Sequence, residues 1–231
     1  TGTGDTLTLS GSSAFNNLTL DSGLVGYWKF DEGTGTVAKD SSRSGNDGTL
    51  TNMASDDWVT TNTGTTTFFN PYALDFDGSN DYVSVNSPIA QGQSEVSLSF
   101  WTKLDTVGNY EGYISSSSSF HVLTYLSANP MFWRISDGGN QYGRLTSVVS
   151  VSDWTHFGLV FDGAGSANTD KMKMYVDGVN KAVSYNGTIP SILPSMNSTM
   201  LFGDDGAGTN TDGLLDDVRI YNRALSASEV A

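Results

Sequence analysis

Apolar and polar residues alternate in short runs along most of this chain, and that period of two limits what it can become. Leu74 and Phe76 alternate with Asp75 and Asp77; Val96, Leu98 and Phe100 alternate with Ser97, Ser99 and Trp101; Met172, Met174 and Val176 alternate with Lys171, Lys173, Tyr175 and Asp177. Successive side chains of a strand point to opposite faces, so each run reads as a half-buried antiparallel strand. Phe157, Leu159 and Phe161 mark another strand, and Asp177 with Gly178 predicts a hairpin turn. Turn-rich stretches such as Asp77, Gly78, Ser79, Asn80 and Asp137, Gly138, Gly139, Asn140 separate the runs. No segment holds a helical stripe. The helix expected is a last turn or two, with Ser226 capping residues 227–230 and Glu229 at the third helical position. Two stacked sheets satisfy this pattern.

The 231 residues suffice for one large all-β domain or two small ones, with a core that needs no staples. There is no Cys, which removes disulfides, thiolate zinc sites and cysteine nucleophiles together. A formal charge of −14 would repel phosphate backbones and anionic lipid surfaces, so nucleic acid and membrane insertion are disfavoured and cations favoured. No apolar run approaches the roughly 20 residues that span a bilayer. Small polar residues and Gly dominate, which fits an extracellular or cell-surface β-protein. The chain opens at Thr1 rather than Met and is expected to be part of a longer secreted protein.

Residues 1–22 are rich in Thr, Ser, Gly and Asn and read as a linker or edge strand; residues 23–231 read as the domain, opening where Leu24, Trp28 and Phe30 share one face. Near the other end, alternation in residues 213–221 puts Leu214, Asp216, Val218 and Ile220 on one face and Leu215, Asp217, Arg219 and Tyr221 on the other. An inward Asp216 is therefore expected. A buried carboxylate needs a cation or a proton, and 11 Lys and Arg face 25 Asp and Glu, so a metal ion is a candidate partner.

The residues also resemble a family. The blocks from Leu24 to Gly33, Asp40 to Leu50, Ala73 to Gly78, Trp154 to Phe157, Tyr175 to Gly178 and Asp216 to Ser226 resemble, in order and spacing, those of laminin-G-like, concanavalin A-like jelly-roll domains. The resemblance implies an all-β, two-sheet antiparallel jelly-roll β-sandwich. Its members include carbohydrate-binding modules, lectins and adhesion domains, so the fold by itself selects no ligand. Members often carry a structural Ca²⁺ joining an early loop to the terminal strand. Asp40, Asn46 and Gly48 with Asp216 match that pattern, and hard oxygen ligands suit Ca²⁺. The alternative is that Asp40 and Asn46 build turns and Asp216 accepts backbone N–H bonds. Asp31, Asp47, Asp77 and Asp217 could join or form a second site, and the acidic loop from Asp204 to Gly213 reads as a solvated hairpin loop.

Catalysis finds little support in these residues. Glu32, Glu95, Glu111 and Glu229 stand apart rather than as the paired carboxylates of a glycosidase. His121 is unplaced, and His156, inside a family block, reads as a packing residue; neither supports a triad. Sugar binding needs an aromatic platform rimmed by amides and carboxylates. Residues 110–142 hold Tyr110, Tyr113, Trp133, Asp137, Asn140 and Tyr142, the candidate ligand-binding set, although alternating aromatics in a sandwich often belong to the core, Phe120 and Phe132 especially. The expectation is a non-catalytic, Ca²⁺-stabilised module that binds a glycan, either a polysaccharide or a glycoprotein, with the acidic surface favouring neutral or cationic polysaccharides. The rival is a structural or adhesion domain that meets protein at a cell surface; a hydrolase or lyase comes third.

Overall fold

A computed structural model describes residues 22–61, 71–87, 89–106, 110–117, 119–124, 130–146, 153–196 and 199–231. The proposed linker or edge strand lies, but for Ser22, outside them. With strands numbered in chain order, the first sheet runs β14 (Val179–Asn180), β13 (Met172–Val176), β12 (Thr155–Asp162), β7 (Glu95–Leu104), β17 (Asp212–Tyr221), β5 (Tyr72–Asp77) and β4 (Trp58–Thr60), and β1 (Leu24–Trp28) also pairs with β17. The second runs β15 (Ser184–Asn186), β11 (Tyr142–Arg144), β10 (Met131–Ile135), β9 (Phe120–Thr124), β8 (Glu111–Ser117), β16 (Met200–Phe202), β6 (Tyr82–Val85), β3 (Gly48–Thr51) and β2 (Val37–Ala38). All pairings are antiparallel. Two one-turn helices, α1 (Asn168–Lys171) and α2 (Ala227–Val230), complete the described elements. No helix among the described residues is long and apolar enough to cross a membrane.

Alternation fixes the inner faces. Val96, Leu98 and Phe100 on β7, Phe157, Leu159 and Phe161 on β12, and Leu74 and Phe76 on β5 are buried between the sheets. Trp28 from the first sheet meets Phe202 of the second at 4.7 Å between ring centroids, and Phe100 meets Tyr113 at 5.5 Å. Such aromatic contacts add to area burial, which for each large side chain is worth about 1.5–3 kcal/mol. The expected hairpin joins β13 to β14, with Asp177 at φ 50° and Gly178 at φ 73°, the left-handed pair that a tight hairpin turn requires. At the C-terminal end the carboxylate of Glu229 accepts the Ser226 N–H at 2.8 Å and pairs with Arg223 at 2.7 Å. Arg223, then the Ser226 N–H, hold its pKa down at about 2.

β17 departs from simple alternation. Leu215 is buried in the core and Leu214 is half-exposed, the reverse of the expected phase, while Val218 and Ile220 are buried as expected; Asp216 is buried too, but opposite Trp101, on the outer row of β7. A bulge explains both observations. The register against β7 slips between Asp216 and Arg219, and Asp217 takes a left-handed φ of 51°. One extra residue resets which parity faces inward. It lies where the neighbour on β17's other side changes from β5 to β1. A second slip, on β1 between Leu24 and Gly26, turns Leu24 away from Trp28 and Phe30 and onto a small outer cluster with Leu225 and Val230.

Candidate functional site

The outer face of the second sheet carries a groove of about 480 Å³ over β9, β10 and β11. Register sets two rows of side chains on this face, of which His121, Arg134 and Tyr142 from one and Leu123 and Phe132 from the next line the groove, with Arg144 beside it. His121, Arg134, Tyr142 and Asn186 lie opposite one another across β9, β10, β11 and β15; Leu123, Phe132, Arg144 and Ser184 form the next row. Between β10 and β11 this makes a checkerboard in which each aromatic faces an arginine. Phe132 and Tyr142 meet edge to face at 5.2 Å, and the Arg144 guanidinium lies 5.5 Å from the Phe132 ring centre.

The rim comes from a loop that leans on the sheet. At Gly112 on β8 an added Cβ would stand 2.4 Å from Asp205 N and 2.4 Å from Thr209 O, so only glycine lets residues 203–211 approach this closely. Thr211 Oγ1 donates to the Gly112 carbonyl at 3.0 Å. Asp205 Oδ1 accepts the N–H groups of Ala207 at 2.8 Å and Thr209 at 3.0 Å. The acidic loop expected to be solvated is thus folded against the sheet, and it brings Asp205 and Thr209 to the groove beside Tyr110. Burial first, then Arg134, lowers the His121 pKa to about 4, so the imidazole is neutral at physiological pH and can both donate to and accept from a hydroxyl.

Of the six residues expected to bind ligand, Tyr110, Asn140 and Tyr142 line this groove. Trp133 and Tyr113 do not, and this corrects the expectation. Both are fully buried, Trp133 against Phe120 at 6.5 Å and Tyr113 with its hydroxyl 3.4 Å from Thr124 Oγ1. In β10 the parity of Met131, Trp133 and Ile135 faces inward, leaving Phe132 and Arg134 outside. Asp137 sits exposed in the β10–β11 turn, accepting the Gln141 side-chain N–H at 2.6 Å. Phe132, Leu123 and His121 were missed as lining residues. Charge parity held the signal: Phe132 shares its face with Arg134, and Tyr142 with Arg144.

The four residues read as calcium ligands lie apart in role. Asp40 accepts the N–H groups of Tyr27, Ser42 and Asn46 at 2.8–2.9 Å and the Ser42 hydroxyl at 2.9 Å. Asn46 donates to Val25 O at 3.0 Å. Gly48 lies in β3, where an added Cβ would meet Val83 at 2.5 Å. Those contacts fit turn building and close packing. Asp216, 3% exposed, accepts the Asp217 N–H at 2.8 Å, and its burial is the feature that fits a cation. Among the second-site candidates, Asp47 pairs with Lys39, Asp77 accepts the Ser79 N–H, and Asp217 pairs with Arg219; burial raises the pKa of Asp31. Among the described residues no three His, Asp or Glu are grouped to hold a metal.

A second groove, about 620 Å³, lies on the outer face of the first sheet beneath α2. Trp101 and His156 pack there at 5.1 Å. Arg219 lies 4.3 Å from the Tyr27 ring centre, donates to the Tyr27 hydroxyl at 2.7 Å and pairs with Asp217 at 3.2 Å; the same hydroxyl donates to Asp217 at 2.6 Å. Burial and then Asp217 hold the Tyr27 phenol protonated far above its ordinary range.

A model of the concanavalin A-like lectin/glucanases superfamily matches residues 77–231. No curated protein matches the chain in sequence. Among solved structures, domain 4 of AbnA, an extracellular family GH43 arabinanase from Geobacillus stearothermophilus in complex with arabinotriose, superposes with a TM-score of 0.62 at 19% identity, over 90% of this chain and 96% of that one. The ligand-binding domain of botulinum neurotoxin serotype D with N-acetylneuraminic acid gives 0.62 at 17% identity, covering 92% of this chain and 50% of that one. The binding domain of botulinum neurotoxin DC with rat synaptotagmin II gives 0.61 at 14%, over 91% of this chain and 51% of that one. The chain thus spans about half the length of the toxin domains.

Proposed function

Since the chain belongs to the concanavalin A-like lectin/glucanases superfamily, we propose that it is a non-catalytic glycan-binding module whose sugar site is the groove over β9, β10 and β11. One observation carries this reading: two aromatic side chains, Phe132 and Tyr142, share an open groove with a neutral imidazole, an amide and a carboxylate. Sugar rings offer apolar C–H faces to aromatics and hydroxyls to such a rim. Fold relatives captured with arabinotriose and N-acetylneuraminic acid support the same reading. A relative bound to synaptotagmin II supports a protein ligand, in an adhesion role, as the second reading. Extracellular placement within a longer protein belongs to the proposal, supported by the small polar composition.

The test is a glycan array followed by titration of the best hit. Tyr142→Ala is expected to weaken binding tenfold or more with an unchanged melting temperature, and polysaccharides incubated with the chain should release no reducing or unsaturated ends. An array without hits, or released ends, would overturn the reading. Calcium is a separate part of the proposal, supported by the buried Asp216 and the net charge. A millimolar ion over a micromolar site should add about 4 kcal/mol of stability. Unchanged melting in excess chelator, with no metal detected on the protein, would remove it.

A further inference from the structure

We propose that the groove over β9, β10 and β11 selects sugars that bear a carboxylate. The inference rests on the glycan reading and narrows it. Arg134 and Arg144 stand diagonally across β10 and β11, Arg134 opposite Tyr142 and Arg144 opposite Phe132. Diagonal neighbours on one face lie about 7–8 Å apart, so the two like charges repel. Neither forms an ion pair among the described residues, in a chain where carboxylates outnumber Lys and Arg by 14. Among the described residues each Nε is buried with no hydrogen-bond partner, and the guanidinium groups make one hydrogen bond, from Arg134 Nη2 to Gly139 O at 3.3 Å.

An unmet buried donor costs free energy, and more when the donor is charged. A planar carboxylate accepts from a guanidinium through two parallel bonds, so an anion seated beside the two arginines would pair with their Nη groups and relieve the repulsion. The groove's own carboxylate does not do so: among the described residues Asp205 forms no ion pair with either arginine, and its Oδ1 accepts the N–H groups of its own loop. His121 is neutral and adds no competing charge at physiological pH. The aromatics then take the sugar ring while the arginines take its acid. Local pairing rather than the net charge of −14 decides this site, which reverses the expectation of a neutral or cationic polysaccharide.

The experiment titrates the chain with two matched pairs, sialyllactose against lactose and tetragalacturonate against its methyl ester. At least one acid should bind tenfold or more tighter than its neutral counterpart, with an advantage that shrinks as salt is raised. Preference for sialyllactose would assign a nonulosonic acid, and preference for tetragalacturonate a uronic acid. Arg134→Gln with Arg144→Gln should reduce the preference to threefold or less without lowering the melting temperature. Equal binding of acid and neutral partner, or a preference that survives the double variant, overturns the proposal while the glycan reading stands. If neither pair binds and the array yields neutral sugars only, the carboxylate proposal fails alone; if no sugar binds at all, both fail.

Discussion

On the outer face of the first sheet, Arg219 stacks on Tyr27 and pairs with Asp217; on that of the second, Arg144 stacks on Phe132 with no carboxylate among the described residues paired to it. The first groove is the larger, about 620 Å³ against 480 Å³, yet the polar groups of its Tyr27, Asp217 and Arg219 cluster are spent on one another. On the proposed reading, the smaller groove is the site. Buried polar groups are generally hydrogen-bonded, so donors left open on one face and closed on the other are what set the two grooves apart.

The largest expected effect separates the inside of the second sheet from its outside. Trp133→Ala should cost about 3–5 kcal/mol in chemical denaturation, whereas Phe132→Ala, one residue away, should cost well under that and abolish glycan binding. Similar denaturation midpoints for the two variants would mean that the faces of β10 are assigned wrongly. Trp133→Phe, which deletes an indole N–H that has no partner, should lie close to the parent.

Next comes the rim. Burial, then the Asp212 charge, raises the Glu111 pKa from 4.5 to about 7, against the Asp212 N–H, which donates to Glu111 at 2.6 Å and lowers it. Burial with Asp105, Asp57, Asp212 and Asp81 raises Asp75 to about 6. A carboxyl whose folded pKa lies above its unfolded value contributes stability that is full below the unfolded value and lost as pH rises through the folded one. Stability measured by urea denaturation should therefore increase from pH 8 to pH 5, by up to about 3 kcal/mol from Glu111 at ~1.4 kcal/mol per pH unit. Glu111→Gln should flatten that slope and leave glycan affinity at pH 7 unaltered; a slope that persists in the variant assigns it to other groups.

The smallest effect sharpens the comparison between the faces. Asp217→Asn should cost about 1 kcal/mol, as expected of a partly exposed ion pair, and should not change glycan affinity. A loss of affinity in this variant would move the site to the first sheet.

Most strands were legible because their inner residues are apolar and alternate with polar ones, as on β7, where Val96, Leu98 and Phe100 alternate with Ser97 and Ser99. Legibility failed where both parities were apolar or a residue was inserted. In β10, Met131, Phe132 and Trp133 are all hydrophobic, so pattern alone sets no phase and does not tell the buried Trp133 from the outward Phe132. In β17, Leu214 and Leu215 are equivalent to any hydropathy count, and the bulge that decides between them arises from sheet geometry. The rim was hidden for another reason: Asp205 and Thr209 reach the groove through a close approach at Gly112, a long-range contact that no local signal records.

The place of β17 also governs how the molecule can come into being. This strand lies between β7 on one side and β5 and β1 on the other, and all three are made long before it. Until residues 212–221 leave the ribosome, β5 and β7 each present an unpaired edge, and loop-closure entropy opposes their late capture. Folding of the first sheet is thus deferred until this last strand is made and should be slow for a domain of this size. During that interval the open edges are the points at which one molecule can add to another.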